Sequence, residues 1–406
     1  MLGRWALRRL WRSPPQAVAK RESIRSLHQV RGSRHCIQIT RHPLTPGRSL
    51  PGVRPLFTEA IPPVLVPPVI FVGLLLTLWT WKCFWIVVLQ DKLLYLSWLP
   101  PLSRSENIAD YAGEFRGVQW TEKSIRSLDG TKLALCEGRL PPKNAGSPGP
   151  RKSVVICYLQ GNGGSTPMRL PLLSQVMQTI KETATPPDNV EYIVVALSYR
   201  GYWKSSGRAT QRGIELDAQA FLNWVSETYG NQDTDLQIVL WGHSLGAAVA
   251  STAVATQLSR TQMVSSPEET SQKSFRPIAG LILEAPISSI KDMLISLYPQ
   301  RWLPYRYLWP LSWNNWNVSA ALEQIAHQKK RGPVGLRQVP PLFIMSAESD
   351  EVIPLWVADQ LEEKARALEL DVERKNVKGA MHIEGPLKVD GRKALVDFIV
   401  KVSTSK

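Results

Sequence analysis

The stretch Asp235-Leu236-Gln237-Ile238-Val239-Leu240-Trp241-Gly242-His243-Ser244-Leu245-Gly246 decides how this chain reads. Leu236 to Trp241 is a short apolar run with β-branched members, the pattern of a strand covered on both faces. After Gly246 come Ala247-Ala248-Val249-Ala250 and Thr252-Ala253-Val254-Ala255, small side chains that favour a helix packed close to that strand. Strand, Gly-x-Ser-x-Gly, helix is the context in which the five-residue pattern carries chemistry. A serine hydroxyl is a poor nucleophile until it is lifted into a cleft, reached by a base and set beside oxyanion donors. Gly242 and Gly246 leave room for the sharp turn that does the lifting. The backbone N–H of Leu245, at the start of the helix, is unpaired and points toward developing negative charge. A serine that merely caps a helix would share these five residues, so the reading of Ser244 as nucleophile rests on its partners.

Outward from the serine, strands and helices alternate. Val118 to Arg139 alternates around Asp129-Gly130 as a β-hairpin. A Pro/Gly/Lys loop from Pro141 to Lys152 precedes a buried strand, Ser153 to Leu159, that ends in Gln160-Gly161-Asn162-Gly163-Gly164. That run lacks the Gly-Lys-Ser/Thr ending of a phosphate-binding loop, so no nucleotide is implied. Tyr192 to Leu197 is a third strand, and Ile214, Ala218, Phe221, Leu222 and Val225 mark one apolar helix face. Ser259 to Pro277 reads as a polar surface insertion. Strands follow at Ile278–Leu283, Pro341–Ser346 and Val372–Val377, with helices near Val357–Leu368 and Gly391–Val402. The order predicts an α/β fold, a mostly parallel sheet with helices on both faces.

The partners of Ser244 follow by elimination when base comes after acid late in the chain. His28, His35 and His42 lie in a basic arm, His243 adjoins the serine and should point elsewhere, and His327 precedes the acid loop. His382, in Gly379-Ala380-Met381-His382 between the last strand and helix, remains as the base. The loop Ala347-Glu348-Ser349-Asp350-Glu351-Val352-Ile353-Pro354 offers three carboxylates, of which Asp350 is taken as the acid.

Tyr199-Arg200-Gly201-Tyr202, Gly242-His243-Ser244-Leu245-Gly246, Asp350-Glu351-Val352-Ile353-Pro354 and Gly379-Ala380-Met381-His382, in that order, resemble the α/β-hydrolase superfamily. Gln90-Asp91-Lys92-Leu93-Leu94-Tyr95, with Leu99-Pro100-Pro101 after an apolar segment, is similar to its membrane-tethered BEM-type (ABHD) branch. The resemblance covers about residue 86 onward. It implies nucleophile, acid and base at Ser244, Asp350 and His382, and an oxyanion hole from the N–H groups of Asn162 and Leu245. Where the family pattern has His-Gly-Asn before that loop, this chain has Gln160-Gly161-Asn162, which should alter how the loop is hydrogen-bonded and spare the backbone donors.

The first hundred residues are of another kind. The net charge is +15, and residues 1–60 hold twelve basic residues against Glu22 and Glu59, so most of the excess sits in an arm. A nucleic-acid partner would want it spread over a folded surface, and is not expected. Arg4, Arg8 and Arg12 repeat at helical spacing opposite Leu2, Ala6, Leu7 and Leu10, which resembles a mitochondrial presequence; a cytoplasmic tail before an anchor fits the same residues. Prolines from Pro43 to Pro68 read as an extended linker. Val69 to Val88, within an anchor placed at 64–90, is long enough to cross a bilayer, with Lys82 and Trp79, Trp81 and Trp85 suited to its interface. The charge bias would keep the arm on the cytosolic or matrix side and the domain, 98–406, across the membrane, either mitochondrial or endoplasmic reticulum. Cys36, Cys83, Cys136 and Cys157 form neither a disulfide framework nor a zinc spacing, and Asn317-Val318-Ser319 is a lone glycosylation sequon. No cofactor or metal is implied.

Residues 288–332 hold Tyr298, Trp302, Tyr305, Tyr307, Trp309, Trp313 and Trp316 with Arg301 and Arg306, and read as a cap that lines an acyl pocket or touches the bilayer; ordinary helical packing is the alternative. The expected chemistry is hydrolysis of an ester or thioester through an acyl-enzyme, on a lipid or S-acyl substrate. A peptidase on the same fold and a non-catalytic membrane platform are the alternatives.

Overall fold

The computed structural model describes residues 62–140, 152–183, 190–230, 235–263, 277–331 and 339–404. The basic arm, most of the loop after residue 140 and the later part of the expected insertion at 259–277 lie outside the described residues. The chain divides after Leu78 into two compact units.

Helix α1, Val66–Val88, follows a short 3-10 turn at Pro63–Leu65, and the two together are long and apolar enough to cross a membrane. The sequence placed Pro67 and Pro68 in the extended linker, but they occupy the first turn of this helix. A proline there removes only N–H groups that have no intrahelical partner. The linker reading therefore stops short of Pro63 and the helix starts before Val69.

The second unit is built on one eight-stranded sheet in the order β1-β2-β4-β3-β5-β6-β7-β8. Its strands are β1 Gln119–Arg126, β2 Lys132–Arg139, β3 Lys152–Leu159, β4 Val190–Ser198, β5 Asp235–His243, β6 Ile278–Glu284, β7 Leu342–Ala347 and β8 Val372–Val377. Only β2 runs against its neighbours, β1 and β4; the other pairings are parallel. The β1–β2 turn closes on Gly130, whose φ of +85° a side chain would strain.

Helices on both faces follow from central strands, β3 and β5 to β7, that are buried at nearly every position. Val155, Cys157 and Leu159 of β3 and Ile238 and Leu240 of β5 join one core with helices Gln211–Tyr229, Leu245–Met263, Val318–Arg331 and Leu355–Ala367. Val154, Ile156 and Tyr158, with Val239 and Trp241, join the opposite core with helices Leu170–Thr183 and Val389–Thr404. In chain order after α1 the helices are α2 Gln90–Tyr95, α3 Leu170–Thr183, α4 Gln211–Tyr229, α5 Leu245–Met263, α6 Ile290–Leu297, α7 Val318–Arg331, α8 Leu355–Ala367 and α9 Val389–Thr404. The α5 helix extends into the stretch read as a polar insertion, to Met263, and α3 was not anticipated.

Between β6 and β7 the chain leaves the sheet as α6, two 3-10 turns at Pro304–Tyr307 and Trp309–Leu311, and α7. An antiparallel bridge between Ser289 and Asn317 closes the excursion at its base. Ile290 N–H donates to Trp316 O at 3.1 Å and Val318 N–H to Ser288 O at 2.8 Å. Asn317, the sequon asparagine, accepts from Ala320 N–H at 2.9 Å and so caps α7. Val318, Leu322, Ile325 and Ala326 of α7 pack in the core, whereas Trp302, Tyr307, Trp309 and Trp313 of the excursion are exposed.

Candidate active site

Parallel strands put their carboxyl ends at one edge of a sheet, and loops leaving that edge are where ligands bind in such folds. Leu159 of β3 pairs with Gly242 of β5, His243 with Glu284 of β6, Glu284 with Met345 of β7, and Ala347 with Val377 of β8. The loop from Gln160, the turn at Ser244 and the loops from Glu348 and Lys378 therefore leave one edge together.

Ser244 lies between β5 and α5 with φ of +53°, a conformation unfavourable for any residue with a side chain. Its N–H donates to Glu284 O at 2.8 Å and its carbonyl accepts from Ala247 N–H at 3.0 Å, so strand and helix both hold the turn. The flanking glycines answer to packing: a Cβ on Gly242 would overlap the carbonyl oxygen of Gly246, and one on Gly246 that of Leu159. Ser244 is nearly buried, and its Oγ makes no hydrogen bond among the described residues.

The three carboxylates of the loop after β7 have separate partners. Asp350 meets His382 Nδ1 with both oxygens, at 3.0 and 2.8 Å, and its Oδ1 also accepts from Val352 and Ile353 N–H at 2.8 and 2.7 Å. Glu348 accepts from Gly379 N–H at 2.8 Å and Glu351 from His382 N–H at 3.0 Å, so these two hold the backbone of the loop that carries the imidazole. With Nδ1 turned to a carboxylate, His382 keeps its proton there and Nε2 is the basic nitrogen. Among the described residues Nε2 makes no hydrogen bond, so the resting geometry joins Asp350 to His382 and leaves Ser244 Oγ unbonded to either. The N–H groups of Asn162 and Leu245 have no hydrogen-bond acceptor among the described residues; Asn162 is exposed, in the loop after β3, and Leu245 opens α5.

His243 was expected to point away from the serine, and the structure gives it a task. It is buried, its ring lies 5.1 Å from that of His382, and its Nε2 is 3.3 Å from the His382 carbonyl oxygen. Burial, reinforced by the charge of Arg169, holds its pKa well below the usual histidine value. It is therefore neutral and donates through Nε2, tying the turn at Ser244 to the His382 loop. A Cβ on Gly161 would stand 2.7 Å from His243 Nδ1, which is why this position has no side chain.

Sequence reasoning missed Glu284. It is buried at the end of β6, accepts from Trp241 Nε1 at 2.7 Å, and lies 4.0 Å from His243 Nε2. Burial pushes its pKa up to about 8 against the opposing pull of Arg169 and the indole N–H. A protonated Glu284 beside a neutral His243 is not an ion pair. The one signal in the sequence is an acidic residue closing an otherwise apolar strand.

Gln160 also has a definite role. Its Oε1 accepts from Thr166 Oγ1 at 3.0 Å and its carbonyl from Tyr199 OH at 3.0 Å, so the loop is held by a side-chain amide. Arg200 is a buried strut: its guanidinium bonds Asp217 (2.7 Å), Asp129 (2.7 Å) and Ser127 (3.0 Å), joining the end of β4 to α4 and the β1–β2 turn.

Comparison with known proteins bears on the fold and the family. The sequence profile described as the alpha/beta hydrolase family matches residues 181–387. Protein bem46 of Schizosaccharomyces pombe is 24% identical over 268 residues, 65% of this chain and 71% of its own length. The lysophosphatidylserine lipase ABHD12 of Danio rerio is 27% identical over 210 residues, 51% of this chain and 46% of that protein, so the likeness spans less than half of the relative. Among solved structures, an alpha-beta hydrolase from Vibrio vulnificus superposes with a TM-score of 0.51 at 15% identity over 76% of this chain and 92% of its own, a likeness of fold.

Proposed function

Because the chain belongs to the alpha/beta hydrolase family, we propose that it is a membrane-anchored serine hydrolase that cleaves an ester or thioester through an acyl-enzyme. The observation that carries the reading is the pairing of Asp350 with His382 Nδ1 at 2.8 Å, on the sheet edge where Ser244 is held at positive φ. In this mechanism Ser244 Oγ attacks the substrate carbonyl carbon as its proton passes to His382 Nε2. The N–H groups of Leu245 and Asn162 receive the oxyanion, and Asp350 stabilises the imidazolium. Collapse breaks the bond to the alcohol or thiol, which leaves with the proton from His382. Water then adds to the acyl carbon, giving its proton to His382, and the second collapse releases the acid and restores the serine.

Two features favour a lipid or S-acyl substrate. The 23 residues of α1 extend about 35 Å at 1.5 Å each, enough to cross the hydrocarbon core and hold the site beside a bilayer. One relative is named a lipase of a lysophospholipid. The aromatic excursion between α6 and α7 then serves as the cap beside the acyl site.

A fluorophosphonate probe tests the chemistry. The wild-type protein should be labelled and Ser244→Ala should not; an unlabelled wild type would leave a non-catalytic platform. Hydrolysis by the unlabelled wild-type protein of an acyl ester but not of the matching acyl amide separates an esterase from a peptidase. Resistance of the full chain to alkaline carbonate extraction tests the anchor.

A further inference from the structure

The excursion that follows β6 holds a cavity lined by none of the residues assigned to the hydrolytic reaction. Its volume is about 350 Å³, near the lower end of ligand cavities, and its walls are Lys291, Ile295, Arg301, Arg306, Tyr307 and Trp309. Three of the six are cations and none is a carboxylate. From Ser288 to Trp316 the one acidic residue is Asp292, and its carboxylate accepts from the hydroxyls of Ser288 and Ser289, both at 2.7 Å.

The cations are arranged and, among the described residues, have no counter-charges. Arg306 donates through Nη1 to the carbonyls of Tyr298 and Pro299 at 3.2 and 3.0 Å, which fixes the guanidinium and leaves Nη2 free of a partner among the described residues. Lys291 Nζ lies 5.0 Å from the ring centroid of Trp309, a contact that holds the ammonium at the wall while its N–H groups stay available. Tyr307 OH donates to the Arg301 carbonyl at 2.8 Å, which fixes that turn, and the Arg301 guanidinium makes no ion pair among the described residues. Two guanidinium groups and an ammonium around one cavity match the oxygens of a phosphate, whose several acceptors take forked donors.

The same excursion meets the later turns of the apolar helix. Trp79 packs on Trp302 with ring centroids 5.9 Å apart, and Lys82 Nζ stands 4.3 Å from the Tyr305 centroid. Tryptophan, tyrosine and basic side chains at the end of an apolar helix belong at the level of lipid headgroups.

We propose that Lys291, Arg301 and Arg306 form a binding site for the phosphate of an anionic membrane lipid. The site takes a phosphate-bearing headgroup at the bilayer surface, with Trp309 and Ile295 against its glycerol. Its chemistry stands without the hydrolytic reading, and only the lipid source of the phosphate rests on α1 as an anchor.

The test uses the full chain carrying Ser244→Ala, so that no ligand is consumed, in an uncharged detergent. Dihexanoyl phosphatidic acid, dihexanoyl phosphatidylcholine and inorganic phosphate are each titrated by calorimetry, against this protein and against the same chain with Lys291→Gln and Arg301→Gln. Both added substitutions are at exposed positions outside the core, and circular dichroism checks the fold. The expected result is saturable binding of phosphatidic acid, weakened at least about tenfold by the two substitutions and by raising salt, with phosphatidylcholine weaker. Equal binding by the substituted chain, or equal binding of phosphatidylcholine, overturns the site. Inorganic phosphate binding as tightly as phosphatidic acid overturns the lipid as its ligand. None of these outcomes depends on labelling of Ser244 or on carbonate extraction.

Discussion

Asp91, three residues after the end of the apolar helix, accepts a hydrogen bond from Asn314 Nδ2 at 2.8 Å across 223 positions of sequence. The same oxygen takes the Trp313 indole N–H at 2.9 Å, and Gln90 beside it accepts from Trp313 N–H and Ser312 Oγ, each at 3.0 Å. Tyr95 OH donates to Asn314 Oδ1 at 2.6 Å and accepts from Trp316 Nε1 at 3.1 Å. The Gln90-to-Tyr95 segment thus braces the aromatic excursion. Asp91→Ala removes the main acceptor of the buried Asn314 amide, at a cost of about 1–3 kcal/mol. Hydrogen exchange should speed up at Ser312 to Trp316 while β5 stays protected, and unchanged exchange there would refute the bracing.

The three carboxylates after β7 predict a sharp contrast. Asp350→Asn should lower kcat by about four orders of magnitude, on the serine-protease precedent, because it removes the group that fixes the imidazole tautomer. Glu348→Gln and Glu351→Gln keep an oxygen for the N–H groups of Gly379 and His382 and should stay within about tenfold of wild type. Ester hydrolysis by the three variants at fixed pH decides it, and equal losses would contradict the assignment.

Gly246→Ala should destabilise the domain by about 3 kcal/mol or more, because the new methyl meets the backbone of β3, which cannot move aside cheaply. Gly113→Ala is the control. Nothing lies within 4 Å of its Cβ position, and the change should stay within about 0.5 kcal/mol. Chemical denaturation of both variants measures the difference.

Glu284 predicts a pH dependence of stability. Its carboxyl titrates near 4.5 when free and at about 8 in the fold, so the folded chain binds the extra proton between those values. The stabilisation is complete below about 4.5 and is lost as pH rises through about 8. Glu284→Gln keeps an acceptor for Trp241 and removes the titration. Its stability relative to wild type should therefore rise from pH 5 to pH 9, as read by denaturation at both values; a constant difference would contradict a protonated Glu284.

Much of this architecture was legible because it is written in local patterns. Apolar runs of six to eight residues marked β3, β5, β6 and β7, and the Ala-rich stretch after Gly246 marked α5, since burial on two faces leaves no alternation to obscure. The aromatic residues after β6 were visible as a cluster, but their division into an exposed excursion and the core helix α7 was not. Pro67 and Pro68 misled for a physical reason: proline forbids a helix interior and suits a helix start, and composition does not tell the two apart.

By itself the sequence marked the strands of the sheet and the turn at Ser244, because both depend on residues within a few positions of one another. It also offered three neighbouring carboxylates, with Asp350 chosen among them, for the candidate acid and one histidine for the candidate base. Only the tertiary structure decided that Asp350 meets the imidazole while Glu348 and Glu351 hold its backbone, that His243 ties the turn to the His382 loop, and that Glu284 is buried beside it. Only it gathered Lys291, Arg301 and Arg306 around one cavity. Such contacts depend on the register between distant strands and on which charges are withdrawn from water, and both arise when the whole sheet assembles.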